Sequence, residues 1–122
     1  MLDKNKIMVR LWYDGEEENV DDKIKKLITV SNPKKVVQNA QYYFNDPNIK
    51  VYLSPIKNKK YAIYDPINKK LVSFGSLNHE DYTYHQNDIR RNNYIKRASN
   101  IKGNWRNNPY SPNNLSLNLL WG

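Results

Sequence analysis

The chain has 122 residues, a formal net charge of +8 at neutral pH and no cysteine. This length supports one domain with a small core. The absence of cysteine excludes a disulfide framework and a thiolate metal site. The N-terminal residues form no uninterrupted apolar run, and no stretch approaches the roughly 18 apolar residues of a membrane span. The sequence therefore predicts a soluble chain without a membrane span that is not secreted.

The charge is unevenly distributed along the chain. Residues 1–22 contain three cations and seven acids, whereas residues 23–122 contain 17 cations and five acids. The acidic residues concentrate in the run DGEEENVDD at 14–22, and the body of the protein is basic. A basic body predicts a polyanionic partner, nucleic acid before an acidic protein surface. The alternative is a general compositional bias, because the chain also contains 19 asparagines.

The first half of the chain predicts one strand and two helices. Residues 6–14 include β-branched and aromatic residues and run into the turn signal Asp14-Gly15, which is typical of a strand followed by a turn. Apolar residues then recur at helical spacing from Val20 to Ile28, with Asn19 available as the N-cap. A second helix is predicted to begin at Asn32-Pro33 and to end before the NDPN run at 45–48.

Three strands are predicted next, at residues 49–54 and within 59–76. The last two form a hairpin at about 61–75, with Asp65-Pro66-Ile67-Asn68 as its turn. A basic helix follows, in which Tyr94, Ala98 and Ile101 form one stripe while Arg90 and Arg97 share a different face.

These elements predict an α+β fold, with a small antiparallel sheet packed by two or three short helices. Residues 1–110 are predicted to form the single domain. Residues 111–122 are predicted to form an extended C-terminal tail.

Two histidines and two carboxylates lie close together between the hairpin and the basic helix. His79 and His85 are six residues apart, which matches no standard zinc spacing, so neither a metal site nor a cofactor is predicted. A nuclease that used Asp81 and His85 is an alternative, but no catalytic residue is predicted. The favoured interpretation is a turn in which Asp81 or Thr83 caps the helix that follows.

The basic helix and the residues after it combine cations with aromatic rings. This mixture is typical of nucleic-acid binding, but protein interfaces are also enriched in arginine, tyrosine and tryptophan. Any contact with nucleic acid would be directed at its backbone, because no sequence-reading motif is present. The candidate binding residues are Arg90, Arg91, Tyr94, Lys96, Arg97, Lys102, Trp105 and Arg106.

The C-terminal segment contains four large apolar residues, Leu117, Leu119, Leu120 and Trp121. Leaving them in water would cost on the order of 1.5–3 kcal/mol each, so they must be buried. The turn-rich residues 111–114 could direct them away from the body. This favours an assembly anchor that docks on a neighbouring chain, with docking on the protein's own core as the alternative.

Four motifs follow one another in the second half of the chain. They are the Phe-Gly pair at 74–75, the EDYTYH run at 80–85, the arginine-rich segment 90–97 with its Tyr-x-x-Arg step, and the segment 111–121 with its Ser-Pro start and Leu-Trp end. In this order, over residues 61–122, they resemble a small basic family of large double-stranded DNA viruses and some phages. The resemblance implies a viral origin without supplying a catalytic activity.

The expected function is therefore that of a non-enzymatic structural component of a viral particle. Such a minor capsid or virion-associated protein would contact other viral structural proteins, in the virion and in the host cytoplasm or nucleus during assembly. The alternative is a sequence-nonspecific nucleic-acid-binding protein of a DNA virus.

Overall fold

A computed structural model of the protein describes residues 9–11 and 18–122, with side chains from residue 21 onward. The short segments between the main elements include a 3₁₀ helix at Trp105–Asn107 and a π-helix at Ser116–Leu120. The main elements in chain order are β1 (Val9–Leu11), α1 (Glu18–Leu27), α2 (Pro33–Tyr43), β2 (Val51–Leu53), β3 (Lys59–Asp65), β4 (Lys70–Ser76), α3 (Tyr82–His85), α4 (Asp88–Ser99) and α5 (Pro112–Leu115).

The strands form one sheet in the order β1-β2-β3-β4. Strands β2, β3 and β4 are antiparallel, whereas β1 pairs with β2 in parallel. A parallel pair needs a crossover connection, and α1 and α2 provide it. The predicted α+β class is confirmed, and the antiparallel part of the sheet has three strands. The described residues also form two short helices that were not predicted, α3 and α5.

The predicted hairpin is confirmed as β3 and β4, with Tyr61 opposite Phe74 and Asp65 opposite Lys70. The carboxylate of Asp65 holds the predicted turn. Its Oδ1 accepts the backbone N–H groups of Ile67 at 2.9 Å and Asn68 at 3.2 Å. These bonds and the Asn68 side chain lower the pKa of Asp65 against the opposing effect of desolvation. An aspartate that binds the backbone two residues ahead is a common way to close such a turn.

Both predicted N-terminal helices are confirmed within the described residues, but α1 begins at Glu18, so Asn19 lies inside the helix and is not its N-cap. Helix α1 buries Ile24 and Leu27, and α2 buries Val36, Val37 and Ala40, all against the sheet in one core. Pro33 occupies the first turn of α2 as expected. The predicted first strand extends beyond β1, and its turn at Asp14-Gly15 lies outside the described residues.

The prediction of an extended C-terminal tail is wrong. Residues 112–120 are helical, as α5 and the π-helix, and the π-helix packs against α2. Leu119, Leu120 and Trp121 are at most 7% exposed within this chain, while Leu117 is half-buried. The amide of Asn39 on α2 donates to the Leu119 carbonyl at 2.9 Å. The three buried side chains are therefore not available as an anchor for a neighbour; they complete the protein's own core.

The turn residues before the C-terminal segment direct it inward rather than away. Ser111 caps α5, because its hydroxyl accepts the Asn114 N–H at 3.2 Å. The Asn113 amide then donates to the Ala98 carbonyl at 3.1 Å, which ties α5 to the end of α4. Local capping thus starts a helix where the sequence analysis predicted a hinge.

Gly75 is required where β4 passes the C-terminal segment. Its φ is +81°, in the region that favours glycine, and a Cβ there would lie 2.8 Å from Leu120 Cδ1. The Phe-Gly pair of the sequence therefore has a packing reason: Phe74 enters the core and Gly75 makes room for Leu120.

Removing the C-terminal segment is expected to unfold the domain. A chain that ends at Pro112 loses Leu115, Leu119, Leu120 and Trp121 from the core, at about 1.5–3 kcal/mol each, and this total approaches or exceeds the marginal stability of a small domain. Thermal melting followed by circular dichroism should show no cooperative transition. In the full-length chain, Leu119→Ala should destabilise by about 2–5 kcal/mol. The half-buried Leu117→Ala is the matched control and should cost less. A shortened chain that melts like the wild type would contradict this assignment.

Candidate functional site

A cleft of about 540 Å³ lies between the hairpin and α4. The C-terminal segment contributes part of its lining, and the loop between β4 and α3 contributes another part. The cleft is lined by Lys59, Lys60, Gly75, Ser76, His79, Glu80, Asp81, Arg90, Asn93, Tyr94, Arg97, Ser116, Leu120 and Trp121. Its volume is in the range of pockets that bind small ligands.

A buried ion pair lies in the wall of this cleft. Lys60 Nζ, on β3, is 2.9 Å from Asp81 Oδ2, just before α3, and both side chains are at most 2% exposed. A buried pair of this kind is strongly destabilised if one partner is removed, because the other is left charged in a low-dielectric environment. The pair therefore fixes the loop before α3 against the sheet.

Asp81 is also the end of a chain of buried hydrogen bonds. The Thr83 hydroxyl donates to Asp81 Oδ1, so it accepts from its other neighbours: the Asn32 N–H at 2.9 Å and the Ser31 hydroxyl at 3.3 Å. Ser31 in turn accepts from the Tyr61 hydroxyl at 2.8 Å. Every donor in the series points toward Asp81. We call Tyr61, Ser31, Thr83, Asp81 and Lys60 the buried polar chain.

The surroundings of the buried polar chain perturb two of its titratable groups. Burial lowers the pKa of Lys60, and the neighbouring Asp81 carboxylate opposes that shift. Burial raises the pKa of Tyr61 well above its ordinary value. The Tyr61 phenol therefore remains neutral and keeps its role as a donor. These bonds join β3, the loop between α1 and α2, and α3. The buried polar chain therefore has a clear structural role.

A second buried cation connects α1 to the end of β2. Lys23 Nζ donates to the carbonyls of Ser54 at 2.6 Å and Ile56 at 2.7 Å. Desolvation by burial lowers the pKa of Lys23 to about 8. The two carbonyls satisfy the ammonium group and close the loop after β2 onto the helix.

The structure divides the predicted binding residues of α4 between two roles. Arg91 Nε donates to the Trp121 carbonyl at 2.8 Å, and the Tyr94 ring stacks on the Trp121 indole at a centroid distance of 4.2 Å. These two side chains hold the C-terminal segment. Arg90 and Arg97 both line the cleft. Arg90 forms a partly exposed ion pair with Glu80 at 2.8 Å. The Arg97 side chain is exposed. The predicted shared face of Arg90 and Arg97 is the one that borders the cleft.

Lys96 and the predicted residues beyond Arg97 do not line the cleft. The Trp105 indole N–H donates to the Ile101 carbonyl at 2.7 Å, and the Arg106 guanidinium lies 4.3 Å from the Trp105 ring centroid. This is a local arrangement around the 3₁₀ helix. Lys96 and Lys102 are exposed. The predicted stripe of Tyr94, Ala98 and Ile101 does not include Ile101. This side chain is 51% exposed because α4 ends at Ser99.

The histidines do not assemble a metal site. Among the residues that the structure describes, no group of three or more histidine, aspartate or glutamate side chains could hold a metal ion. His85 Nδ1 accepts the Asn87 N–H at 2.9 Å, and burial, followed by the nearby Arg90 charge, lowers the pKa of His85. His85 is therefore a neutral packing residue beside Trp121, with a centroid distance of 5.2 Å.

The predicted capping role of Asp81 and Thr83 is wrong for the basic helix. Asn87 caps α4, because its Oδ1 accepts the Arg90 N–H at 3.0 Å. Asp81 and Thr83 are used in the buried polar chain instead. Sequence reasoning also missed Lys59 and Lys60, which read as ordinary polar ends of a strand. No local pattern reveals that Lys60 is covered by residues that lie 21 positions later.

Comparison with known proteins matches part of the chain to a family model. A family of unknown function (DUF5754) matches residues 49–98, about two fifths of the chain. The matched region extends from the approach to β2 to the end of α4, and it therefore includes the buried ion pair and both arginines of the cleft. No curated protein and no solved structure matches the chain. No helix in the described residues has the length and apolar character needed to cross a bilayer.

Breaking the buried ion pair should destabilise the protein far more than breaking the exposed one. Asp81→Asn should lower the free energy of unfolding by about 3–5 kcal/mol, because Lys60 is left charged and buried. Glu80→Gln is the matched control and should cost about 0–1 kcal/mol, since the Arg90–Glu80 pair is nearly half exposed. The measurement is urea unfolding. The double variant Lys60→Met/Asp81→Asn should cost less than the sum of its single changes, and strict additivity would argue against a coupled pair.

The stability contributed by Lys23 should depend on pH in the alkaline range. Its pKa is about 8 in the folded protein and 10.5 in its ordinary state, so the unfolded chain holds more protons between these values. Stability from this group therefore rises with pH across that window and is lost as the pH falls toward 8. Relative to Lys23→Met, the wild type should gain up to about 3 kcal/mol between about pH 7.5 and pH 10.5, measured by urea unfolding. A difference that stays constant with pH would refute the lowered pKa.

Proposed function

We propose that this chain is a non-enzymatic structural component of a viral particle, a minor capsid or virion-associated protein that contacts other viral structural proteins. The observation that carries the proposal is that the buried ionisable side chains serve the fold. The buried charged side chains in the described part of the chain are all bound to internal partners that stabilise the fold; they are Lys23, Lys60, Asp65 and Asp81. A catalytic group must reach a substrate, and these side chains are enclosed instead.

The distribution of exposed apolar side chains supports contacts with neighbouring proteins. Tyr42 on α2 is 90% exposed, Ile89 at the start of α4 is 74% exposed and Ile67 in the hairpin turn is 71% exposed. Single exposed apolar residues are common, but these are large and almost fully exposed on three different elements. Aromatic residues are enriched at protein interfaces, where such side chains become buried. Contacts at several places suit a protein held among neighbours.

The resemblance of residues 61–122 to a family of large double-stranded DNA viruses supports the viral part of the proposal. The structure gives physical roles to the motifs that carry the resemblance. Gly75 accommodates Leu120, Asp81 and Thr83 belong to the buried polar chain, and Tyr94 stacks on Trp121. The motifs therefore describe one packed unit and give no sign of a set of reacting groups. The expected location is the virion, and the host cytoplasm or nucleus during assembly.

A second candidate function is sequence-nonspecific binding of nucleic acid. The observation in its favour is that Lys96, Arg97 and Lys102 are exposed on or just after one helix. Exposed cations of this kind pair with phosphates and make affinity strongly dependent on salt. Arg91, Tyr94, Trp105 and Arg106 have internal partners in this structure, so fewer side chains are available for this role than the sequence suggests.

The proposed function predicts that the protein remains in purified virions of the virus that encodes it after a high-salt wash. Mass spectrometry of the washed particles is the measurement. Tyr42→Ser and Ile89→Ser should lower its amount in particles severalfold, since truncation of a side chain that anchors an interface costs more than about 1 kcal/mol of binding. Lys34→Gln, an exposed change on the same helix as Tyr42, is the control and should have no effect. Absence of the wild-type protein from washed particles would overturn the proposal.

A further inference from the structure

The charges of the cleft do not balance. Its lining contains four cations, Lys59, Lys60, Arg90 and Arg97, and the carboxylates of Glu80 and Asp81. Two ion pairs, Lys60–Asp81 and Arg90–Glu80, use both carboxylates. Within the described part of the chain, the side chains of Lys59 and Arg97 form no hydrogen bond or ion pair, although the backbone of each is hydrogen-bonded. Two cations without an internal partner thus face one concave space, Lys59 from β3 and Arg97 from α4.

The neighbours of Arg97 add further hydrogen-bonding capacity without negative charge. Asn93 lies one turn earlier on the same face of α4, and its side chain is exposed. A side-chain amide can both donate and accept, so it can bind a peptide backbone group. A guanidinium binds a carboxylate with two parallel hydrogen bonds. The cleft therefore places a group that can bind a carboxylate, Arg97, beside one that can bind a peptide backbone, Asn93.

The aromatic residues of the cleft favour a peptide over nucleic acid. Single-stranded nucleic acid is bound by stacking its bases on accessible rings. Trp121 is only 7% exposed, and Tyr94 lies parallel to it at an interplanar angle of 6°, so each ring covers a face of the other. A single acidic side chain brings one negative charge to the two free cations that line the cleft, and it needs no accessible ring for stacking.

We propose that this cleft binds a short acidic segment of a partner protein, with a carboxylate held by Arg97 and Lys59. This inference rests on the proposed function, because it names the chemistry by which one neighbour is recognised. The site is preorganised: the buried polar chain fixes one wall, and the Tyr94–Trp121 stack fixes α4 on the other side. Preorganisation reduces the entropy lost when a flexible peptide binds.

The test uses the full-length chain and a fluorescein-labelled octapeptide of alternating glutamate and glycine, with fluorescence anisotropy as the readout. The glutamine version of the peptide is the control ligand. Arg97→Gln and Lys59→Gln should each weaken binding by about tenfold, as expected for loss of a charge-assisted hydrogen bond. Lys96→Gln, on the same helix and exposed but outside the cleft, is the matched control variant and should change affinity less than about twofold. Thermal melting should confirm that all variants are folded, since each change is at an exposed side chain.

Three results would overturn the proposal. One is absence of binding to the acidic peptide, and another is equal weakening by Lys96→Gln and Arg97→Gln, which would indicate diffuse attraction. The third is tighter binding of an oligothymidine strand that displaces the peptide, which would favour nucleic acid. If the wild-type protein is present in washed virions but does not bind the peptide, the cleft proposal is wrong and the proposed function stands. If the protein binds the peptide through Arg97 but is absent from virions, the proposed function is wrong and the cleft proposal stands.

Discussion

The ion pair between Lys60 and Asp81 is the constraint on which the arrangement of this protein depends. Two charges that are almost fully buried must lie close together, because each would be strongly destabilised alone. Asp81 can satisfy this requirement only when the loop before α3 lies against β3, and Thr83 then meets Ser31 and the N–H of Asn32. One contact thus orders the start of α2, the hairpin and α3 together.

The C-terminal segment supplies the complementary constraint. Leu119, Leu120 and Trp121 complete the core, and Arg91 and Tyr94 hold α4 over them. Helix α4 is mainly polar, with Ala98 its one fully buried side chain, so its own burial contributes little. Its position depends on hydrogen bonding and ring stacking to the C-terminal segment. The basic helix therefore has an inner side that maintains the fold and an outer side that remains available to solvent.

The cleft arises where these two ordered regions meet. The buried polar chain positions the wall that carries Lys59, and the packing of Trp121 positions the wall that carries Arg97. Its acids are neutralised within the protein, so the remaining charge is positive. A rigid concave surface with unpaired cations is suited to recognition by charge and shape, and its enclosed polar groups have little access to a reacting molecule. This division between enclosed and available charges is the physical basis for the binding role that we propose.

The sequence alone determined the local elements of this protein, because capping, helical spacing and turn chemistry involve residues that are neighbours in the chain. Asn32-Pro33 begins α2, Asp65 closes the hairpin turn, and the apolar spacing from Val36 to Ala40 defines a buried face. The shared face of Arg90 and Arg97 was also predictable from helical geometry. Only the tertiary structure decided which polar side chains are buried and where residues 112–121 pack. Lys60 and Asp81 are separated by 21 positions, and Asn39 and Leu119 by 80. Contacts over such separations depend on how complete elements pack, and no local pattern of residues encodes that information.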